Sequence, residues 1–217
     1  MTNKELKIKA KLALTNKWGM AIGVLLVYNV LAAAASQISF IGLILVSYPM
    51  LYGYTKFNMA VKNGFGEFEL VFDGFRESFL DNSVTILLRD LFVLLWTLLL
   101  IVPGIIKSIS YALVPYILVD SDYDNLFNTE ALKKSEKMMY GHKKRYFCLA
   151  LSFIGWHILG LFTLGILNIL YVLPYQYQTM TQFYYEIKAL DREQVKIERI
   201  ANDSVKEFEN NENDWDF

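Results

Sequence analysis

The chain has 217 residues, of which 54% are hydrophobic, 15% aromatic and only 20% charged, and its formal net charge is −1. A nearly neutral chain offers no global field for nucleic acid, and its single cysteine, Cys148, excludes a disulfide within the chain. One cysteine and two histidines also leave no cluster for a zinc site, so we expect neither a metal nor a cofactor.

The chain opens on a basic leader followed by an apolar run. Five lysines precede residue 18, and the run ends in four alanines at 32–35. A cleaved signal peptide with an Ala-x-Ala site has a similar pattern. The leader is long, however, and five further apolar segments follow that need no cleavage, so we favour a retained helix. The leader itself predicts an amphipathic helix at the membrane surface, with Leu6, Ala10 and Leu14 on its apolar side.

Uncharged runs near the length of a membrane span are the main structural signal. A spanning helix needs about 20 apolar residues, and unpaired backbone amides are excluded from hydrocarbon. Six runs fit this description: 18–35, 38–60, 84–102, 104–119, 146–161 and 164–187. We therefore expect an all-α, polytopic integral membrane protein with about six transmembrane helices in three hairpins. Residues 1–190 form a single helical membrane domain.

The distribution of Lys and Arg predicts the orientation. Basic residues occur in the leader, in 61–83, in 120–145 and in the tail, whereas 36–37 and 160–165 have none. Cytoplasmic connections carry the excess of Lys and Arg. Both termini are therefore expected on the cytoplasmic side.

The stretch 98–120 predicts a broken hairpin, because Pro103-Gly104 forms the turn and Pro115 interrupts the return leg. Lys107 lies one turn past Pro103-Gly104. It is either an interfacial anchor at the outer end of a short, tilted or re-entrant helix, or a cation lining a polar cavity for an anionic lipid or substrate. Lys107 and Ser110 also share a helix face and are compatible with a Ser–Lys nucleophile, although nothing in the sequence supplies an oxyanion hole.

Three prolines, Pro49, Pro115 and Pro174, each fall in the returning leg of a predicted hairpin. This regularity predicts a parallel repeat of hairpins, as in some transporters. Alternatively, proline is simply tolerated in packed membrane helices.

A second amphipathic helix is predicted at 125–141, on the cytoplasmic side. Its polar face and the residues that follow form a basic cluster that we expect to face anionic lipid headgroups. The cluster consists of Lys133, Lys134, Lys137, Lys143, Lys144 and Arg145.

Three further segments complete the prediction. Residues 64–83 are too aromatic for a free loop and are expected to pack under the bundle. Residues 120–124 begin like a calcium loop but lack its later Gly and Glu, so Asp120 and Asp124 are interpreted as capping groups. Residues 191–217 predict an acidic, partly disordered cytoplasmic tail.

A few polar residues lie at membrane depth, where such residues are functional hypotheses by default. Arg89 and Asp90 are adjacent and diverge by about 100° on a helix, so they need not pair with each other. They form either a snorkelling pair or a buried pair to another helix, or they line an ion path. For His157 and Asn168 we expect hydrogen bonds between helices rather than catalysis.

The sequence resembles an uncharacterised bacterial membrane family, domain of unknown function 975. The matching residues are 99–107, Ser110, Tyr111, Asp120, Ala131, Ser135, Met139, 141–143, 151–156, Pro174, Tyr175, 16–19 and 72–75. The resemblance implies a protein of the bacterial plasma membrane with no established activity, and it carries over no catalytic residues.

No standard catalytic signature appears in the sequence. We therefore expect a non-enzymatic membrane protein that acts through contacts with membrane lipids or with a membrane or cytoplasmic protein partner, without nucleic acid. The alternatives are a transporter or channel component, and an intramembrane hydrolase using Lys107 and Ser110.

Overall fold

The computed structural model describes residues 1–38, 40–120 and 129–213, with the side chains of 38, 40, 41, 43, 198 and 202–213 left out of the description. Within these ranges every regular element is a helix and there is no strand, which confirms the all-α class. Residue 39, the segment 121–128 and residues 214–217 lie outside the description. The proposed role of Asp124 and the first residues of the predicted helix 125–141 therefore fall outside it as well.

The elements follow one another with short connections. In chain order they are α1 (Asn3–Leu14), α2 (Trp18–Ile38), α3 (Phe40–Lys62), a 3₁₀ helix (Phe68–Phe75), α4 (Phe79–Leu99), α5 (Ile101–Ser110), α6 (Val114–Asp120), α7 (Thr129–Met138), α8 (Lys143–Leu151), α9 (Ile154–Phe162), a π-helical segment (Asn168–Val172) and α10 (Leu173–Asn213).

Four helical stretches of the described chain are long and apolar enough to cross a membrane. They are Trp18–Gln37, Phe79–Leu99, Ile101–Asp120 and Lys143–Phe162. In three of these stretches only 17–22% of the residues are buried inside the protein, whereas in Ile101–Asp120 the share is 50%. Their exposed residues are mostly apolar, which is the composition expected of helices that face lipid.

The other two predicted spans, in α3 and α10, are not among these four. The difference has a physical reason in α10, where Gln178, Thr179 and Thr181 interrupt the apolar pattern and are completely buried. A helix with polar groups at this depth belongs inside a bundle. The first half of α10 is accordingly its core.

Helix α1 packs against α10 rather than standing apart at a surface. Its Thr2 N-cap forms a capping box with Glu5, and the apolar side of the helix, Leu6, Ala10 and Leu14, is completely buried. The predicted apolar face therefore exists and contacts protein, while Ile8 and Leu12 remain exposed on another side of the helix.

The predicted apolar face of α7 also contacts protein. Ala131, Leu132 and Ser135 are buried, and the first two share a hydrophobic cluster with Ile117 of α6. The helix is followed by Gly141 in the left-handed region, at φ +78°, as expected for a residue just past a helix end.

The prolines mark breaks and bends. Pro49 lies inside α3, Pro115 is the second residue of α6 after a turn at 111–113, and Pro174 follows the π-helical segment at the start of α10. Gly104 sits against Thr97 so closely that a Cβ would lie 2.2 Å from the Thr97 hydroxyl oxygen, which closes the α4–α5 turn.

The aromatic segment after α3 packs on that helix through backbone contacts. A Cβ on Gly53 would lie 2.0 Å from the carbonyl oxygen of Val71, and one on Gly74 would lie 2.0 Å from that of Pro49. Only glycine allows such an approach. The 3₁₀ helix is thereby held along α3, and Phe65 beside it remains 74% exposed.

We expect Gly74→Ala to destabilise the protein by about 1–3 kcal/mol, because the added methyl would force two backbones apart. Gly23→Ala in α2 is the matched control, since a Cβ there meets nothing within 4 Å. Thermal unfolding of the detergent-solubilised chain measures both. Equal melting temperatures for the two variants would contradict the close packing.

Candidate functional site

A cavity of about 650 Å³ lies among α2, α3, α4, α5–α6, α8 and α10. This is within the roughly 300–1,000 Å³ of small-molecule sites. Each wall comes from a different helix, so the cavity exists only in the assembled bundle.

Six tyrosines line the cavity, and most come from separate elements. They are Tyr28, Tyr48, Tyr111, Tyr116, Tyr146 and Tyr177. Ser47, Thr55, Ser108 and Gln176 add further polar groups to the lining. Of these six, the sequence pointed only to Tyr111, as part of the family resemblance. The available signal was the number of tyrosines, 14 in the chain, many of them within or beside apolar runs.

Arg89 and Asp90 line the same cavity and pair with each other. The Asp90 Oδ1 atom accepts hydrogen bonds from Arg89 Nε at 2.9 Å and from Nη2 at 2.7 Å. The Arg89 side chain is 19% exposed and that of Asp90 is 42% exposed. The two side chains bend toward each other despite their divergent positions on α4, which gives a neutral pair inside the bundle.

Several hydroxyls around Arg89 have no partner among the described residues. Tyr28, Tyr146 and Tyr177 take part in no side-chain hydrogen bond there, yet Arg89 is close enough to interact electrostatically with each. The cavity therefore offers unused hydrogen-bonding groups beside a guanidinium.

Lys107 lies outside the cavity lining, next to Ser108 and near Tyr111, which belong to it. Its ammonium pairs with the Oε1 of Glu136 on α7 at 2.7 Å and lies 5.7 Å and 5.3 Å from the ring centres of Trp96 and Tyr111. Lys107 was predicted at the outer end of its helix, and the helix that carries Glu136 was predicted on the cytoplasmic side. Two side chains in direct contact lie on the same side of a membrane, so these two predictions cannot both be right.

Ser110 is completely buried and its hydroxyl donates to the carbonyl oxygen of Ile106 at 2.8 Å. The carbonyl of Ser110 accepts a hydrogen bond from the Ser135 hydroxyl at 2.7 Å. The Lys107 and Ser110 side chains thus each bind a different partner, and both positions hold α7 against α5.

His157 and Asn168 are the polar residues of the fifth and sixth predicted spans. His157 Nε2 is 2.7 Å from Oε1 of Gln176, which lines the cavity, so this contact joins α9 to α10. The buried side-chain oxygen of Asn168 has no partner among the described residues. A Cβ on Gly160 would clash with this Asn168 side chain at 2.2–2.5 Å.

The basic cluster divides into two parts. Lys133, Lys134, Lys137 and Lys144 are exposed and Lys143 is half-buried, whereas Arg145 donates from Nη2 to Oε2 of Glu186 at 2.6 Å. The Glu186 side chain is only 8% exposed, so the arginine neutralises a buried carboxylate. Only the lysines remain available to headgroups.

Segments that were predicted to be cytoplasmic meet at one end of the bundle. Asp120 pairs with Lys188, Arg145 contacts Asn3, and the Lys62 ammonium lies 3.7 Å from the centre of the Tyr185 ring. Burial lowers the pKa of Lys62, and the charges of Lys9 and Lys188 lower it further. The leader, the end of α3, the segment before α8 and the middle of α10 are therefore neighbours.

Among the residues that the structure describes, no group of three His, Cys, Asp or Glu side chains could hold a metal ion.

A model of the family described as "Protein of unknown function (DUF975)" matches residues 75–191. The match covers more than half of the chain and confirms the resemblance noted in the sequence, although residues 16–19 and 72–74 lie outside it. No curated protein and no solved structure matches the chain.

Reversing the charge in Lys107→Glu should lower the unfolding free energy, because two carboxylates then face each other, and adding Glu136→Lys should restore part of it. Both side chains are partly exposed, so we expect a coupling of about 0.5–1 kcal/mol. A double-mutant cycle on thermal unfolding measures it. Strictly additive effects would mean that the two side chains do not interact.

Proposed function

We propose that this chain, which belongs to the DUF975 family of proteins of unknown function, is a non-enzymatic, multi-pass membrane protein that binds a small ligand in the tyrosine-lined cavity. The observation that carries the proposal is the cavity itself. It combines an Arg–Asp pair, unpartnered tyrosine hydroxyls and apolar walls at the centre of a bundle with lipid-type exterior helices. Such a concave, mostly apolar site with a few converging polar groups is typical of ligand binding.

For the topology we propose that both termini and α7 lie on the cytoplasmic side of a bacterial cell membrane. Because Lys107 pairs with Glu136 of α7, the hairpin of α4 with α5 and α6 is then re-entrant and does not cross. Trp18–Gln37 and Lys143–Phe162 form the outer crossings, and α3 and the first half of α10 form the inner ones. Their buried polar residues, such as Asn58 and Gln178, support an interior position. The alternating basic residues and the meeting of the predicted cytoplasmic segments at one end of the bundle support the orientation.

A non-enzymatic role is supported by the local bonding of the strongest nucleophile candidate. The Ser110 hydroxyl is bonded within its own helix and Lys107 is paired with Glu136. The lipid partners of the proposal would contact the exposed lysines 133, 134, 137 and 144, whose charge attracts anionic headgroups. We also propose that the chain contacts a protein partner on the cytoplasmic side.

Transport is the second candidate, and one observation favours it. The helix that lines the cavity with Gln176 and Tyr177 begins with a π-helical segment and Pro174. Irregular helices at membrane depth are frequent at functional sites and in transporters.

The ligand-binding proposal predicts that water-soluble reagents reach the cavity. In a Cys148→Ser background, single cysteines at Ser47 and Ala112, which both line the cavity, should react with a hydrophilic thiol reagent in lipid nanodiscs. Leu98→Cys is the control, because Leu98 is 75% exposed on an apolar surface and should be covered by lipid.

We expect rates at the cavity positions about tenfold above the control, because thiolate chemistry requires water and hydrocarbon excludes it. Cavity cysteines that react no faster than the one at Leu98 would overturn the proposal.

A further inference from the structure

The cavity presents unused hydrogen-bond donors around the guanidinium of Arg89. Arginine has five N–H groups, and in Arg89 one on Nε and one on Nη2 donate to Asp90 Oδ1. Arg89 has no other hydrogen-bond partner among the described residues, so three N–H groups remain unused. The hydroxyls of Tyr28, Tyr146 and Tyr177 add three groups that can also donate.

The acceptors on the cavity wall are mostly neutral. Asp90 is the single carboxylate among the lining residues that the structure describes, and its Oδ1 is already shared by two N–H groups of Arg89. The hydroxyls of Thr55 and Ser108 donate their protons within their own helices, so they offer the cavity only neutral acceptor oxygens. An incoming anion would gain charge-assisted hydrogen bonds from the unused N–H groups of Arg89, whereas an incoming donor would meet neutral oxygens and a carboxylate that is already paired.

A guanidinium fork matches the paired oxygens of a carboxylate or phosphate. Arg89 is mostly buried, at 19% exposure, so bonds from it to an anion would be strengthened by the low local dielectric. Asp90 pairs with the guanidinium through Nε and Nη2 and competes with an incoming anion for it.

The remaining wall is apolar. Leu51, Val93, Ile109, Pro115, Leu173 and Met180 line the cavity beside the polar groups. Burial of an alkyl body against this wall would contribute favourable free energy.

We infer that the ligand of this cavity is a small amphipathic anion, with a carboxylate or phosphate group bound by Arg89 and the tyrosine hydroxyls and an alkyl body against the apolar wall. The inference rests on the proposed function and specifies its ligand class. A free fatty acid and a lipid phosphate share this chemistry, and the two head groups used in the test distinguish them.

Four probes with the same octyl chain test the charge: octanoate, octyl phosphate, octylammonium and octanol. The readout is the rate at which N-ethylmaleimide labels a cysteine at Ser47 in the Cys148→Ser chain, in phosphatidylcholine nanodiscs. We expect octanoate or octyl phosphate to slow labelling by about tenfold at saturation, and octylammonium and octanol to leave it unchanged, because only the anions pair with the unused donors. The more protective anion identifies the carboxylate or the phosphate source.

Variants of the pair sharpen the test. Arg89→Gln with Asp90→Asn removes both charges without leaving either unpaired, and should abolish protection by the anions. Asp90→Asn alone releases the guanidinium and removes a repulsive carboxylate, so half-protection should need about threefold to tenfold less anion. Labelling of a cysteine at Glu69 in the Cys148→Ser chain is the control for bilayer effects, since Glu69 is exposed on the 3₁₀ helix and outside the cavity lining.

Protection by octylammonium, or equal protection by all four probes, would overturn the inference. The inference would also be overturned if no probe protected the cysteine, or if the anions still protected it in the double variant. In each of these cases a reactive cysteine at Ser47 would leave the ligand-binding proposal intact. If that cysteine does not react at all, the proposed function fails and the inference fails with it.

Discussion

The rest of this structure depends on one constraint: the polar residues in the first half of α10 must be kept away from lipid. The first half of α10 carries Gln178, Thr179 and Thr181, all completely buried. The hydroxyls of Thr179 and Thr181 donate to carbonyl oxygens of α10 itself, so it is the Gln178 amide whose exposure to hydrocarbon would cost several kcal/mol. The other helices therefore surround α10. Their apolar sides can then face outward, and the leader helix α1 is drawn onto α10 instead of lying apart.

The cavity is a consequence of the same arrangement. Helices that carry large aromatic side chains toward a common centre cannot close completely, and they pack through ring contacts such as Tyr54 with Tyr177 at 4.7 Å and Tyr116 with Tyr184 at 5.2 Å. The hydroxyls and the Arg89–Asp90 pair line the space that remains. Because the pair is neutral as a unit, it can be held there without an uncompensated charge. The stabilising pair and the groups that we propose to bind a ligand thus share one side chain, that of Arg89.

The amphipathic segments show where prediction from sequence stopped. Periodicity placed Leu6, Ala10 and Leu14 of α1, and Ala131 and Leu132 of α7, on buried faces, and these residues are buried. The expected contact was with a membrane, whereas these residues contact protein, and Ile8 and Leu12 of α1 stay exposed. An amphipathic pattern shows that one face of a helix avoids water, but lipid and a protein core satisfy that face equally. The partner of Lys107 was missed for a related reason: Glu136 is 29 residues away in the chain, and no local pattern links the two.

The sequence by itself determined that the chain is helical and membrane-spanning in character, that it belongs to its family, and that Arg89 and Asp90 are unusual at their depth. These properties follow from local composition, because hydrocarbon imposes the same rule on every residue of a span. Tertiary structure alone decided that six tyrosines from distant parts of the chain surround that pair, and that α3 and α10 form the interior. Each tyrosine is ordinary in its own helix. Only the packing of helices separated by long stretches of sequence brings their hydroxyls to one cavity.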